Sequence, residues 1–346
     1  MRPGASLFAF RSVLAQYCSN RLFINAFSSL NPHFDMSESR QLVIGTRGSK
    51  LALTQTNQVR DQLVEICAEA GVSVSVEIIH TTGDREDKSD LSTIGGQGLF
   101  TAEIERALIE GQIDVAVHSL KDLPTVSREE LIVAATPERV DVRDVIVTRG
   151  VPDPDVVSSL AVLPVSSSLG TGSPRRRAQL LALRPDLRFG AIRGNIDTRL
   201  AKLQRGDFDG IVLAAAGLQR LAMSGEINIY LDTAQVLPAP GQGALGLQMR
   251  RDDDKVELVQ KLNHAPTWYG VTAERSFLRS LGGGCLEPFG AWGRVISGEL
   301  VLDGVMAQPD GSNLKRSSLT GDPETAEELG RNLALELQND SAETAR

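Results

Sequence analysis

The stretch Gly170-Thr-Gly-Ser-Pro-Arg-Arg-Arg177 combines a helix start with three consecutive arginines. Ser173 followed by Pro174 is typical of an N-cap and first helical position, which places the arginines in the first turn. Cations in that turn oppose the helix dipole, at a cost of about 0.3–1 kcal/mol each. A bound anion would remove the conflict, because free N–H groups and guanidinium groups would both face it. The alternative interpretation is a solvated basic face.

Four further arginines follow predicted strands. Arg47 follows the first strand, and Arg193 ends a strand near residue 192. Arg199 falls one turn into the next helix, and Arg220 follows the apolar strand 210–216. Open α/β sheets bind ligands at the carboxyl ends of their strands. Because guanidinium groups pair with carboxylates in a bidentate manner, the pattern predicts a cleft for a substrate with several carboxylates.

The motif His118-Ser-Leu-Lys-Asp-Leu-Pro124 ends another strand. Lys121 offers a point charge and Asp122 a carboxylate. An aspartate among so many cations is either an ion-pair partner or the group that handles a cationic intermediate, and the residues alone leave both open. His118 has no metal-ligand spacing with the other three histidines, so we predict no metal site.

Gly282-Gly-Gly-Cys285 is the second unusual feature. Three glycines allow a tight turn that would expose the thiol of Cys285 to a cleft. The alternative is a buried structural cysteine, which is the common environment of a free thiol. Cys67 competes poorly as a reactive group, since it lies on the apolar face of a predicted helix over 51–70.

Composition excludes several classes of protein. The 346 residues carry a formal net charge of −8 and three cysteines. An acidic chain without a basic face disfavours nucleic acid as a partner. Three cysteines form no disulfide framework, which favours a reducing compartment. Since no stretch approaches the ~18 consecutive apolar residues of a membrane span, we expect a soluble intracellular protein without a membrane partner.

The first 40 residues differ from the rest. Within them, residues 1–35 contain three arginines, several serines and phenylalanines, and a single acid, Asp35. This composition is typical of a transit peptide. Met36, just before the first strand, is an alternative start. We therefore expect residues 1–40 to form a targeting or disordered extension. The protein is cytoplasmic if translation starts at Met36, and plastid or mitochondrial if residues 1–36 are a transit peptide.

Strands and helices alternate over residues 42–216, which predicts parallel sheets flanked by helices. The pattern changes after residue 253. Helices are expected near 253–263 and 272–281, a strand meander over 289–319, and a last helix opened by Asp322-Pro323.

These elements predict an α/β fold with two α/β domains and a smaller α+β C-terminal domain. The expected boundaries are 41–140 plus 240–260 for the first domain, 141–239 for the second, and 261–346 for the third, which carries Cys285.

Eight motifs, in one order, resemble those of the porphobilinogen deaminases, also called hydroxymethylbilane synthases, over about residues 41–346. They are IGTRGSKLAL, GQGLFTAEIE, DVAVHSLKDLP, LGTGSPRRRAQL, IRGNIDTRL, LAAAGLQRL, LPAPGQGALGL and AERSFLRSLGGGCLEP. Similar proteins have two periplasmic-binding-protein-like domains and a third that carries the cysteine.

The resemblance implies the joining of four porphobilinogen molecules into a linear tetrapyrrole, with release of ammonia at each step and hydrolytic release at the end. It implies a dipyrromethane cofactor, linked through a thioether to Cys285, and Asp122 as the catalytic acid. The family's substrate- and cofactor-binding positions correspond to Arg47, Ser49, Lys121, Ser173, Arg175, Arg176, Arg193, Arg199 and Arg220. No metal or nucleotide is implied, and we expect a monomer.

The sequence departs from the family pattern at two positions. Gln97 and Thr93 stand where some relatives carry lysine. Two alternatives from other classes were weighed. A non-catalytic solute-binding protein for a polycarboxylate would explain the arginines but not Cys285 or the third domain. An RNA-binding protein fits neither the acidic charge nor the low aromatic content.

Overall fold

The computed structural model describes residues 40–79, 101–149, 159–282 and 287–344. The strands of these ranges are β1 (Gln41–Thr46), β2 (Ser73–Ile78), β3 (Val115–Ser119), β4 (Leu131–Ala135), β5 (Asp144–Thr148), β6 (Ser168–Gly170), β7 (Arg188–Gly190), β8 (Gly210–Ala214), β9 (Ile229–Tyr230), β10 (Leu245–Arg250), β11 (Phe289–Ile296), β12 (Glu299–Met306) and β13 (Lys315–Gly321). The α-helices are α1 (Lys50–Glu69), α2 (Ala102–Ile109), α3 (Pro174–Leu183), α4 (Ile196–Gln204), α5 (Ala215–Arg220), α6 (Val256–Gln260), α7 (Ala265–Ser280) and α8 (Ala326–Thr344).

The strands form two five-stranded sheets with the same arrangement. The first sheet has the order β2-β1-β3-β10-β4, and the second has the order β7-β6-β8-β5-β9. In each sheet the first three strands are parallel, and the fourth is antiparallel to both of its neighbours. The prediction of parallel sheets is therefore wrong for β10 and β5.

The reversed strands arise because the chain crosses between the sheets twice. Residues 136–143 lead from β4 to β5, and residues 231–244 lead from β9 back to β10. Each crossing delivers its strand from the opposite sheet, so the strand enters in the reverse direction. A strand–helix–strand pattern indicates local neighbours only, and it carries no information on these long connections. The exact domain boundaries stay a prediction.

A three-stranded antiparallel sheet, β11-β12-β13, follows as the predicted meander. Helices α7 and α8 pack on it around Phe277, which is fully buried. Close packing depends on Gly270 and Gly293, because a Cβ atom at either position would overlap the backbone of the other. The predicted fold class, two α/β units and a smaller α+β unit, is confirmed.

A buried carboxylate on α7 joins the three sheets. Glu274 accepts both guanidinium nitrogens of Arg139 at 2.5 and 3.0 Å, and Arg139 lies on the first crossing. Glu274 also accepts the backbone N–H of Gly241 on the second crossing and of Gly293 in β11. Bidentate, charge-assisted hydrogen bonds of this kind fix relative orientation. The crossings and α7 are thereby held together.

Several predicted boundaries shift. The strand predicted over 210–216 ends at Ala214, and α5 begins at Ala215, so Arg220 lies at a helix end. Helix α7 begins at Ala265, seven residues before its predicted start, with Pro266 in its first turn. Asp322 caps a single 3-10 turn, Pro323–Thr325, before α8. Among the helices of the described ranges, none is long and apolar enough to cross a membrane.

Candidate functional site

The first part of the site is the turn that follows β3. The chain forms one 3-10 turn, Leu120–Asp122, held by the Leu120 N–H to the Ala244 carbonyl at 3.0 Å. The Asp122 side chain is exposed. Within the described ranges its carboxylate accepts no hydrogen bond, yet its charge raises the pKa values of Lys121 and Arg199. Asp122 is thus an open carboxylate beside two cations.

Lys121 has an unusual electrostatic environment. Its Nζ lies 3.3 Å from the Oε1 atom of Gln242. Burial lowers the pKa of Lys121 to about 8, and the nearby charges of Arg176 and Arg175 add to this effect. The negative charges of Asp122 and Asp144 oppose it. The ammonium group therefore loses its proton near neutral pH, whereas an exposed lysine keeps it to much higher pH.

The arginines at the start of α3 are held by a carboxylate that the sequence analysis did not identify. Asp144, fully buried at the start of β5, accepts Arg175 Nη1 at 2.7 Å and Arg176 Nε at 3.0 Å. Gln242 Nε2 donates to the same carboxylate at 2.9 Å. Burial raises the pKa of Asp144, but the two guanidinium groups outweigh it and hold the pKa well below the usual range.

Both guanidinium groups also donate to backbone carbonyls. Arg175 Nη1 donates to the Leu237 carbonyl at 2.5 Å, and Arg176 Nη1 donates to that of Val212 at 2.9 Å. The two side chains are almost completely buried. The conflict with the helix dipole is thus relieved inside the protein, by its own carboxylate, and not by a ligand alone. Arg177, the third of the run, is exposed.

The predicted start of α3 is confirmed. Ser173 is the N-cap, and its Oγ accepts the backbone N–H of Arg176 at 3.4 Å, with Pro174 in the first turn. Ser49 has the same function at α1, where its Oγ accepts the backbone N–H of Ala52 at 3.3 Å. Both serines therefore define helix N-termini, at which backbone N–H groups favour anions.

The arginines around α4 differ from those of α3. Arg193 is exposed, and its carbonyl accepts Lys202 Nζ at 3.0 Å. Arg199 is half-buried and donates from Nε to the Gly194 carbonyl at 2.7 Å. Burial and the charge of Arg176 lower the pKa of Arg199, and the charge of Asp122 opposes them. Arg199 therefore shares an electrostatic environment with groups of both large sheets.

Arg220 and Arg47 complete the predicted set within the described ranges. Arg220 Nη2 donates to the Gly243 carbonyl at 2.8 Å, and burial lowers its pKa to about 10. Its Nε is buried without a hydrogen-bond partner in the described part of the chain. Arg47 follows β1 directly and lies near His118, whose pKa its charge helps to lower. A buried, unused N–H donor on a cation is well suited to an anion.

His118 belongs to the protein interior and not to this set of charges. Its Nε2 lies 3.1 Å from Gln248 Oε1, and Gln248 Nε2 donates to Glu105 Oε1 at 3.1 Å. Burial lowers the pKa of His118 to about 4, so the ring is neutral at physiological pH. The second predicted focus of chemistry, Cys285, lies in residues 283–286, outside the described residues, as do Thr93 and Gln97.

The sequence analysis missed Asp144 and Gln242. Asp144 is a charged residue that opens the apolar strand Asp-Val-Ile-Val-Thr, which was a usable signal, since a carboxylate is rarely buried without a cationic partner. Gln242 connects the two halves of the site, because it accepts from Lys121 and donates to Asp144. Together these residues define an anion-binding cleft with one open carboxylate, at the crossings between two α/β units.

Comparison with known proteins identifies the family. The model of the porphobilinogen deaminase dipyromethane cofactor binding domain matches residues 42–258, and that of the porphobilinogen deaminase C-terminal domain matches residues 268–339. The porphobilinogen deaminase of Syntrophobacter fumaroxidans is 44% identical over 304 residues, covering 88% of this chain and 96% of that protein. The enzyme of Thermus thermophilus is 47% identical over 300 residues, covering 86% and 95%. The chain belongs to the porphobilinogen deaminase family.

Solved structures of solute-binding proteins also match. A TRAP periplasmic solute binding protein from Desulfovibrio salexigens is 13% identical, with a TM-score of 0.37, and covers 65% of this chain and 72% of its own. The periplasmic sulfonate-binding protein SsuA from Methylobacillus flagellatus is 14% identical, with a TM-score of 0.39, and covers 70% and 68%. These scores are too low to support an argument about architecture, which rests on the strand orders.

Proposed function

We propose that the chain is a hydroxymethylbilane synthase, a transferase of tetrapyrrole biosynthesis. It joins four porphobilinogen molecules head to tail, with loss of ammonia at each step, and then releases the linear tetrapyrrole by hydrolysis. Family membership over residues 42–258 and 268–339 supports this activity. The observation that carries the site assignment is the open carboxylate of Asp122 beside Lys121 and Arg199.

Substrate binding follows from charge. Each porphobilinogen carries an acetate and a propionate, so every added unit brings two negative charges. We assign their binding to Arg47, Ser49, Lys121, Ser173, Arg175, Arg176, Arg193, Arg199 and Arg220. Asp144 already pairs with Arg175 and Arg176. Among the described arginines, the more accessible donors are those of Arg193 and Arg199, together with the unused Nε of Arg220.

Asp122 is the residue that we assign to the chemical step. The C–N bond of the substrate's aminomethyl group breaks, the electron pair leaves with nitrogen, and ammonia departs. A positioned acid can donate the proton that this departure needs. The substrate is left as a cation, which the resulting carboxylate of Asp122 stabilises electrostatically. Exposure of Asp122 leaves its oxygens available for both tasks.

The described residues fit the cofactor of the family. Dipyrromethane carries four carboxylates, and the cleft offers a surplus of cations, including a buried Arg220 donor without a partner in the described ranges. We assign its attachment to Cys285, and its carboxylates to the same cations that bind the substrate. When bound, dipyrromethane is the covalent primer to which substrate units are added.

The test of this assignment is an intact mass combined with turnover of porphobilinogen. Purified protein should exceed its sequence mass by two linked pyrrole units, and the adduct should map to Cys285 after digestion. Cys285→Ala should lack both adduct and activity. Cys67→Ala is the matched control, since Cys67 is fully buried on α1 and should keep the adduct. Unmodified but fully active wild-type protein would overturn the attachment.

The alternative of a non-catalytic solute-binding protein predicts reversible binding of a polycarboxylate, no adduct and no release of ammonia. The same mass measurement separates the two. That the protein acts as a monomer, without nucleic acid or membrane as partner, stays a prediction. So does the choice between a start at Met36 and a transit peptide over residues 1–36.

A further inference from the structure

Helix α7 contacts the turn that carries Asp122. Arg275 on this helix donates from Nη1 to the Leu123 carbonyl at 3.1 Å and from Nη2 to the Pro124 carbonyl at 2.6 Å. These are the two residues that directly follow Asp122. A guanidinium group presents two N–H donors in a fixed fork, so one side chain holds two consecutive carbonyls in a defined orientation. The C-terminal unit thereby fixes the exit of the turn.

The turn depends on its backbone for position. Its entry is held by the Leu120 N–H to the Ala244 carbonyl, and Leu123 is buried. In the described ranges no hydrogen bond reaches the Asp122 carboxylate itself. The carboxylate can therefore be placed only through the chain on either side of it, and Arg275 holds the C-terminal side.

The same helix is anchored elsewhere. Glu274, the preceding residue, binds Arg139 and the crossings in the buried cluster. Helix α7 also leads in sequence to Cys285, ten residues after Arg275. One rigid element thus joins the Asp122 turn, the crossings, and the segment that contains Cys285.

From this arrangement, which rests on the proposed function for its catalytic meaning, we infer that Arg275 is a positioning residue for Asp122. It touches neither substrate nor reacting atoms. It holds the backbone after Asp122 so that the carboxylate stays at one distance from the leaving amine. A misplacement of about 1 Å at a reacting group can cost on the order of 100-fold in rate.

Arg279 provides a matched control. It lies one helical turn further along α7, is exposed, and donates to the Thr125 carbonyl at 3.5 Å. It also pairs with Glu327 at 3.7 Å. Arg279 therefore has the same chemical type, helix and neighbouring loop as Arg275, with a longer and single contact.

The experiment compares Arg275→Ala, Arg275→Lys and Arg279→Ala in the full chain. Arg275→Ala should lower kcat by about 10–100-fold with little change in KM and with the Cys285 adduct retained. Arg275→Lys should recover part of kcat, since an ammonium group can reach one of the two carbonyls. Arg279→Ala should stay near wild type. A merely structural role predicts instead equal kcat per folded molecule.

Hydrogen–deuterium exchange supplies a readout that does not depend on activity. Amides of residues 119–126 should exchange faster in Arg275→Ala and unchanged in Arg279→Ala. Unchanged exchange, or kcat within about two-fold of wild type, would overturn the inference. If Arg275→Ala fails to fold, the same comparison is made with Arg275→Lys, for which an unchanged kcat and exchange would also overturn it. Failure of the proposed function would be recognised separately, as wild-type protein without turnover of porphobilinogen.

Discussion

Asp122 and Asp144 lie among the same cations but in opposite environments. Asp144 is fully buried and accepts hydrogen bonds from Arg175, Arg176 and Gln242. Asp122 is exposed, and within the described ranges its carboxylate accepts none. A buried carboxylate with three donors has its hydrogen-bonding capacity used inside the protein. An open carboxylate beside cations keeps that capacity for a ligand, so the difference separates a structural acid from a chemical one.

The comparison also sorts the cations. Arg175 and Arg176 spend donors on Asp144 and on carbonyls, whereas Arg193 and Arg199 belong to no ion pair of the described residues. A single buried carboxylate between two guanidinium groups leaves a net positive charge. Arg175 and Arg176 therefore attract anions through their field and rigid placement, while the arginines of α4 can contact carboxylates more directly.

The largest expected effect is that of Asp122→Asn on turnover. Removing one positioned acid typically costs about 10²–10⁴-fold in rate, and the loss here can be greater because the same group stabilises a cation. Since Asp122 is exposed and accepts no hydrogen bond from the described residues, melting temperature and the Cys285 adduct should stay near wild type. Single-turnover release of ammonia and intact mass measure the two properties. Turnover within a few-fold of wild type would make Asp122 an ion-pair partner.

Asp144→Asn should show the reverse pattern, with stability affected first. Breaking a buried ion pair by removal of one partner costs about 3–5 kcal/mol, because a charge is left uncompensated. Denaturant unfolding measures the loss. The matched control is Asp303→Asn, which removes the partner of Arg294 from a partly exposed pair and should cost much less. Equal losses in the two variants would contradict the assignment of Asp144 as the anchor of the cleft.

The difference between the two aspartates also explains what could be predicted from sequence. Ser173, Pro174 and the position of α3 follow from local capping rules, and these were correct. Asp144 pairs with Arg175 across 31 residues, and Gln242 reaches Asp144 across 98. No local pattern reports such contacts. The reversal of β5 and β10 escaped prediction for the same reason, since both strands arrive by crossing between sheets.

The third prediction sharpens the division among the arginines. Arg199→Ala should raise KM for porphobilinogen by about ten-fold or more, because a hydrogen bond to a charged group contributes about 1.5–3 kcal/mol. Its melting temperature should change little. Arg175→Ala should instead lower the melting temperature and the extent of adduct formation, since it leaves Asp144 with Arg176 alone among its arginine partners. Steady-state kinetics, melting and intact mass on both variants test the contrast, and a common pattern for the two would remove it.

The smallest expected effect is the pH dependence caused by Lys121. Burial lowers its pKa from 10.5 to about 8, so the ammonium is present below about pH 8 and is lost as the pH rises through that value. Its attraction for a substrate carboxylate should be lost over the same range, and kcat/KM should fall there. Stability should change in the opposite sense, because between pH 8 and 10.5 the unfolded chain binds the proton that the folded protein does not, which makes unfolding harder as pH rises. Lys121→Arg should move the fall in kcat/KM to higher pH, since a guanidinium group stays charged. A fall that remains near pH 8 in Lys121→Arg would assign the titration to another group. The effect is modest because a neutral amine can still donate to Gln242, so the link between the open and the buried aspartate survives deprotonation.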